Sequence, residues 1–223
     1  MIDIDNKDLY LGLVNDALNS MGVSWDKFYI PLFPTSTYTG LIHGPAFTTR
    51  GRVVDSYENY EVLDRIRLDI YDESIFMNNP IVVLEANDDK VAHSGDITSL
   101  IYQKLGAVGW VSDGKIRDIE KIDKTKFQIY CNGTCPIDAL NYWALTEFQV
   151  PVKLFGLQIK PEDYLFCSSD GVIRVQREFK SDLPKAIKSV FQREKLVRDS
   201  INGKTENSVH DLIKNLEKKY GRW

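Results

Sequence analysis

Asp96 is followed, after residues 97–116, by the adjacent pair Arg117-Asp118. Two carboxylates and a planar guanidinium can hold an organic acid, bind a hard divalent cation or move a proton, provided that the chain brings them together. Each also has a plainer reading. Asp96 stands at the entry of a helix, where an aspartate serves as an N-cap. Arg117-Asp118 follows Asp113-Gly114, a pair that punctuates strands and is commonly succeeded by a charged turn. What favours a shared cleft is the intervening order of elements. In a strand-helix-strand unit, the loop that enters the helix and the loop after the next strand both lie at the C-terminal edges of strands, where open α/β sheets bind ligands. At such a helix entry the free amides of Gly95 to Thr98 and the positive dipole end favour an anion such as a carboxylate.

The elements that would position these groups can be read from periodicity. Leu9, Leu13, Ala17 and Met21 share one face of a helix over 8–21, with Gly22 at its left-handed stop. Prolines 31, 34 and 45 and glycines 40, 44 and 51 predict irregular chain until a strand from about Ala46 to Val54, then a helix over 58–71. The apolar, β-branched run 80–86 suits a central strand buried on both faces. Ile97, Leu100, Ile101 and Leu105 follow helical spacing and end at Gly106, and strands at 107–112 and 127–131 complete a parallel-type unit. The stretch 148–176 reads as three short strands of an antiparallel layer, and the tail as two helices, 183–201 and 206–220. The first of these spreads its apolar residues beyond one stripe, as expected of a helix with a second face against another subunit. Together these features predict an α/β fold with mixed parallel and antiparallel sheets, a single domain 1–223 whose 183–223 helical extension contacts a neighbouring subunit.

Composition narrows the function classes. The chain has 223 residues, 43% of them hydrophobic, enough for a full core. Its 28 Lys+Arg against 32 Asp+Glu give a net charge of -4, without the basic surplus that phosphate binding requires, so nucleic acid is not an expected partner. No basic-then-apolar leader opens the sequence and no 18-residue apolar run occurs, so the expected location is cytoplasmic, with no membrane partner. Cys131, Cys135 and Cys167 are an odd number, which suits reduced thiols, and CNGTC lacks the further nearby ligands of a structural zinc site. His43 and His93 flank the candidate site, where a lone histidine is more often a hydrogen-bonded structural residue than a ligand.

Asp96, Arg117 and Asp118, set in GAVGWVSDGKIRD, resemble the motif of the class II 4-hydroxy-4-methyl-2-oxoglutarate/4-carboxy-4-hydroxy-2-oxoadipate aldolases, RraA-like proteins related to the regulator of ribonuclease activity A. The resemblance extends through LVNDALNSMGV, GPAFTTRG, PEDYLFCSSDGVIRVQREF and QREKLVRDSINGK. It implies an RraA-like swivelling β/β/α fold, with an N-terminal helix and C-terminal helices used in oligomerisation, assembled as a homotrimer or homohexamer. It also implies a divalent-metal-dependent aldolase that cleaves a 4-hydroxy-2-oxo acid to pyruvate through a metal-stabilised enolate. Oxaloacetate decarboxylation would be a side activity, since it passes through the same enolate.

In that scheme Asp118 is the direct protein ligand of Mg2+ or Mn2+, and Arg117 faces the oxo and carboxylate oxygens of the substrate. The amides of Gly95, Asp96, Ile97 and Thr98 take the pyruvyl carboxylate, and Asp96 orients the water that exchanges a proton with the methyl carbon. Glu194, in QREKL, is the glutamate that a neighbouring subunit contributes. No Schiff-base lysine is demanded, and Lys104 and Lys115 read as solvent-facing. The alternative is a non-catalytic regulator that masks a partner such as a ribonuclease; that branch lacks the complete set Asp96, Arg117 and Asp118. The loop NDDKVAHSGD departs from the small, aromatic and glycine-rich residues of the family there. Its pair Asp88-Asp89 would repel a second substrate carboxylate or favour a polyhydroxylated substrate.

Overall fold

The computed structural model describes residues 8–37, 40–72, 76–203 and 208–221. In chain order the elements are helix α1 (Leu11–Ser20), strands β1 (Tyr29–Ile30) and β2 (Ile42–Val53), one-turn helices α2 (Tyr60–Leu63) and α3 (Ile66–Asp69), strands β3 (Ile81–Glu85) and β4 (Ala92–Ser94), helix α4 (Asp96–Lys104), strands β5 (Gly109–Ser112) and β6 (Lys115–Ile116), the single turn α5 (Ile119–Ile122), strands β7 (Gln128–Tyr130), β8 (Trp143–Phe148), β9 (Val152–Leu154), β10 (Leu157–Ile159), β11 (Tyr164–Ser168) and β12 (Gly171–Val175), and helices α6 (Leu183–Gly203) and α7 (Val209–Tyr220). They fall into two compact units, Trp25–Lys180 and the remainder, Met1–Ser24 with Ser181–Trp223.

The larger unit is built on one mixed sheet in the order β1-β12-β11-β2-β3-β5-β7, with β8 also paired to β2. Strands β2, β3, β5 and β7 run parallel, whereas β11, β12 and β1 are antiparallel. Strand β3 is buried at Ile81, Val82, Val83 and Leu84. Alternate side chains enter opposite cores: Val82 and Leu84 join Phe47, Trp110 and Ile129, while Ile81 and Val83 join Ala46, Val111 and Tyr130. Each such side chain taken out of water contributes about 1.5–3 kcal/mol. The predicted strands at 80–86, 107–112 and 127–131 thus correspond to the buried parallel core, and the mixed α/β architecture is as expected.

Four local expectations differ. Strand β2 begins at Ile42 rather than 46 and changes partner at Pro45, pairing with β11 before it and with β3 after it. Its Gly44 is required by packing, since a Cβ there would lie 2.2 Å from the carbonyl oxygen of Asn79. The helix expected over 58–71 is instead two single turns, α2 and α3, because Val62 and Leu68 point outward, at 56% and 63% exposure, and supply no continuous apolar stripe. Strand β8 precedes, but for Phe148, the stretch 148–176 in which three strands are expected, and it covers the edge of β2, with a bulge at Arg50/Gly51; the first of those three is instead the hairpin β9–β10. Helix α4 buries Ser99 and Tyr102 and leaves Ile97 and Leu100 exposed, the reverse of the face that the apolar spacing suggested.

In the smaller unit α1 buries Leu11, Leu13, Val14, Ala17 and Leu18, and Gly22 follows it at φ +80° as expected. Helix α6 buries Leu183, Ile187, Val190 and Val197, the last of which packs with Leu212 and Leu216 of α7. Ser208 caps α7 by accepting the Asp211 amide; residues 206 and 207, the expected start of that helix, lie outside the described residues. Among the described residues no helix is long and apolar enough to cross a membrane.

Candidate active site

Strands β4 and β6 form a small parallel pair, with Ala92 opposite Lys115 and Ser94 opposite Ile116. Being parallel, both deliver their C-terminal ends to the same place. Strand β4 runs into Gly95 and the first turn of α4, while β6 runs into Arg117-Asp118 and α5. The Arg117 amide donates to the Ser94 carbonyl at 3.1 Å, and a Cβ built on Gly95 would lie 3.0 Å from Asp118 Oδ2 and 3.1 Å from Arg117 Cγ. Gly95, Asp96, Arg117 and Asp118 therefore come together although twenty residues separate Asp96 from Arg117. The expected strand at 107–112 is not the one that carries the pair; β6 is interposed. Asp113 Oδ1 accepts the Ala86 amide at 2.7 Å, and a Cβ on Gly114 would fall 2.4 Å from His93 Nδ1, so this glycine serves close packing as well as the turn.

The charges interlock. Arg117 Nη1 lies 2.8 Å from Asp138 Oδ2, and its Nε lies 3.5 Å from Asp118 Oδ2. Lys121 Nζ lies 3.3 Å from Asp96 Oδ2. Burial alone would raise the Asp96 carboxyl, but the Lys121 ammonium and the Ile97 amide help to outweigh it and hold the group below the ordinary carboxylate range. Asp118 adopts the left-handed conformation, φ 59° and ψ 31°, and its carbonyl accepts the Lys121 amide to open α5. Gly95 gives α4 no side-chain cap, so the entrance amides face a cavity of about 100 Å3 lined by Gly95 to Thr98, Arg117 and Asp138. The Ile97 amide is partly spent on Asp96. A second cavity of about 250 Å3 shares His93, Ser94, Thr98, Asp138 and Ala139 with it.

Asp138 and Lys121 were not anticipated. Asp138 arrives through an isolated bridge to Ala92, and Thr134 bridges Ile116, so the 134–138 segment extends the small pair without strand-like patterning. Lys121 is one helical turn beyond Asp118, where a charged segment carries no local mark of its partner.

Other candidates are placed elsewhere or engaged. His93 has a fully buried imidazole; Nε2 lies 3.2 Å from Asp88 Oδ2, Nδ1 accepts the Lys115 amide, and burial pushes its pKa below the ordinary value. Asp88 also accepts the amides of Lys90 and Val91 and the Tyr142 hydroxyl, and its side chain is 4% exposed, so it meets no substrate; the expected repulsion by this residue is corrected. His43 Nδ1 lies 2.8 Å from the Tyr164 hydroxyl. Lys104 is exposed, whereas Lys115 is half-buried. Glu194 lies in the smaller unit, paired with Arg198 at 2.7 Å and hydrogen-bonded by the Tyr10 hydroxyl, whose pKa burial and Glu194 push up to about 12.

The donor set suits a hard divalent cation, since the convergent ligand atoms are carboxylate oxygens. Among the described residues no three His, Cys, Asp or Glu side chains gather into a cage, so protein would supply one or two oxygens and water the rest, as Mg2+ tolerates. Lys121 claims Asp96 at 3.3 Å, leaving Asp118 the more available ligand.

The RraA-like family profile, Aldolase/RraA, matches residues 13–174. A candidate 4-hydroxy-4-methyl-2-oxoglutarate aldolase of Halalkalibacterium halodurans is 31% identical over 163 residues, 71% of this chain and 72% of the relative. An uncharacterized protein of Methanocaldococcus jannaschii is 28% identical over 129 residues, 56% of this chain and 62% of the relative, so the chain spans less than two thirds of that protein. Among solved structures, Streptomyces coelicolor RraAS2, described as an unusual member of the RNase ES inhibitor RraA protein family, shares the fold with a TM-score of 0.70 at 20% identity, covering 85% of this chain and 91% of that one.

Proposed function

The chain belongs to the RraA-like family, and we propose that it is a divalent-metal-dependent lyase that cleaves a 4-hydroxy-2-oxo acid to pyruvate, with oxaloacetate decarboxylation as a side activity. The observation that carries this reading is the approach of Asp118 and Arg117 to Gly95, beside an uncapped helix entrance able to grip a carboxylate. Asp118 would hold Mg2+ or Mn2+, which when bound supplies Lewis-acid stabilisation of charge developing on the 2-oxo oxygen.

The remaining work belongs to side chains and amides of this chain. The amides of Asp96 and Thr98 bind the pyruvyl carboxylate, with Gly95 admitting it at close range and the Ile97 amide adding what Asp96 leaves free. Arg117, braced by Asp138 at 2.8 Å, presents its remaining N–H groups to the substrate oxygens. Asp96, kept ionised by Lys121, orients the water that exchanges a proton with C3. A neighbouring subunit of a homotrimer or homohexamer, docked through 183–223, brings Glu194, which must then turn from Arg198 and Tyr10 within its own chain.

The test is pyruvate release from oxaloacetate and a panel of 4-hydroxy-2-oxo acids with added Mg2+ or Mn2+. Asp118→Asn and Arg117→Ala are expected to lower kcat/KM by about 100-fold or more, on the scale of losing one preorganised electrostatic group. No pyruvate from the whole panel, or full turnover by D118N, overturns the reading. A regulator that masks a ribonuclease needs none of Asp96, Arg117 and Asp118 for chemistry, so an inert but ribonuclease-binding protein would point to that alternative.

A further inference from the structure

We propose that the cavity of about 250 Å3 beside the candidate active site is the subsite for the departing carbonyl fragment, and that it takes a neutral, ring-bearing aldehyde in preference to one with a carboxylate; this rests on the aldolase reading above. In R–CH(OH)–CH2–CO–COO−, the 4-hydroxyl loses its proton and becomes a carbonyl as the C3–C4 bond breaks. The electron pair stays with C3, which takes a proton to give pyruvate, and R–CHO departs.

Position comes first. Ser94 and Thr98 line both cavities, so a substrate whose carboxylate sits at the α4 entrance extends its C4 substituent past them. Ser94 is 7% exposed, and its Oγ has no hydrogen-bond partner among the described residues. Buried hydroxyls are normally paired, and this one stands where the 4-oxygen of the substrate would pass. Size and chemistry come next. A dry cavity of about 150 Å3 holds a benzene ring, and this one is larger, walled by Tyr71, Tyr102, Trp110, Trp143, Leu84 and Leu145. Aromatic walls favour an aromatic guest through edge and face contacts.

Charge decides the rest. Arg67 is the one Lys or Arg among the described lining residues, and it is already paired with Asp64 at 3.2 Å and lies over the Tyr71 ring at 5.9 Å. Asp138 adds a second carboxylate, and its own partner, Arg117, belongs to the pyruvate side. Buried His93 is held neutral and each lining carboxylate is matched by a guanidinium, so no uncommitted cation among the described lining residues offsets the cost of burying a further carboxylate on the guest.

The experiment compares 4-hydroxy-2-oxo-4-phenylbutanoate, which releases benzaldehyde, with 4-hydroxy-2-oxoglutarate, which releases glyoxylate; oxaloacetate, which carries no substituent beyond C4, reports the aldolase-type site separately. The expected result is at least a tenfold higher kcat/KM for the phenyl substrate, and a shift of that ratio by about tenfold toward the dicarboxylate in Asp64→Asn, which releases Arg67. Equal or reversed preference with oxaloacetate still decarboxylated overturns the subsite and leaves the aldolase reading standing. Should no substrate yield pyruvate, the aldolase reading falls and saturation-transfer NMR decides the cavity alone. A benzyl alcohol signal that glycolate does not give, and that Ala139→Trp removes without lowering Tm, supports ring binding, whereas no such signal overturns it.

Discussion

Gly95→Ala tests whether the candidate site depends on close approach. The Gly95 backbone, φ -153° and ψ -165°, is extended and open to any residue, so the substitution brings no conformational strain of its own. The added methyl would meet Asp118 Oδ2 at 3.0 Å, Arg117 Cγ at 3.1 Å and Arg117 Nε at 3.2 Å, short of the 3.4 Å of ordinary contact by about 0.2–0.4 Å. Both neighbours are about one-third exposed, at 37% and 32%, and can retreat toward solvent at a stability cost below about 1 kcal/mol. Retreat displaces the two groups that the reaction needs. A misplacement of 1 Å can cost about 100-fold in rate, so a few tenths should cost roughly three- to tenfold, or ~0.7–1.4 kcal/mol of barrier. The assay pairs kcat/KM for pyruvate release with Tm from the same preparation. Unchanged kcat/KM would show that the approach is irrelevant to turnover, and a loss that merely tracked a falling Tm would reduce Gly95 to a structural residue.

Gly51→Ala should act on stability instead, because its Cβ would lie 1.9 Å from Trp143 Cζ2 while the indole is anchored through Nε1 to the Ala86 carbonyl at 2.7 Å. A cost of about 3 kcal/mol, the upper range for overpacking, would lower Tm by roughly 6–12 °C for a chain of this length; a drop under about 2 °C contradicts the packing. Burial holds His93 and His43 below the ordinary histidine pKa of 6.5, so between folded and unfolded values the unfolded state binds more protons. Unfolding free energy should therefore fall as pH drops through about 6.5, and His93→Gln should flatten part of the slope in denaturant titrations. Light scattering should give a mass of at least a trimer, and a strictly monomeric protein removes Glu194 from the chemistry.

What the sequence makes legible follows from how many constraints a segment meets. Strands β3 and β5 are covered on both faces and so write apolar runs up to Glu85 and Ser112, while β7 is legible through Phe127, Ile129 and Tyr130 despite the buried Gln128. Strand β8 lies on the flank of β2, buried at Trp143 to Leu145 and partly exposed from Thr146 to Phe148, so its apolar run is cut to three strand residues and then gives way to Thr146-Glu147. Helix α4 misleads because Ile97 and Leu100 stand outside the core while Ser99 and Tyr102 enter it. The approach of Asp96 to Arg117-Asp118 is readable because the residues between them are a helix, a strand and a short second strand that bring the chain back beside itself. Asp138 and Lys121 are unreadable because a side-chain ion pair imposes no period on its neighbours. Asp88 shows the opposite error: an acidic pair in a loop looks like a charged rim, yet two local amides, the distant Tyr142 hydroxyl and His93 draw one member inside.

The left-handed turn at Asp118 restricts which ligands could be engineered there. With φ at 59°, the position suits glycine, which has no Cβ, or asparagine, aspartate and histidine, and disfavours glutamate and above all β-branched residues. An effort to lengthen the carboxylate arm there would first have to rebuild the loop from Ile116 to Ile119. Among acidic donors, backbone handedness has made the choice of aspartate before any cation arrives.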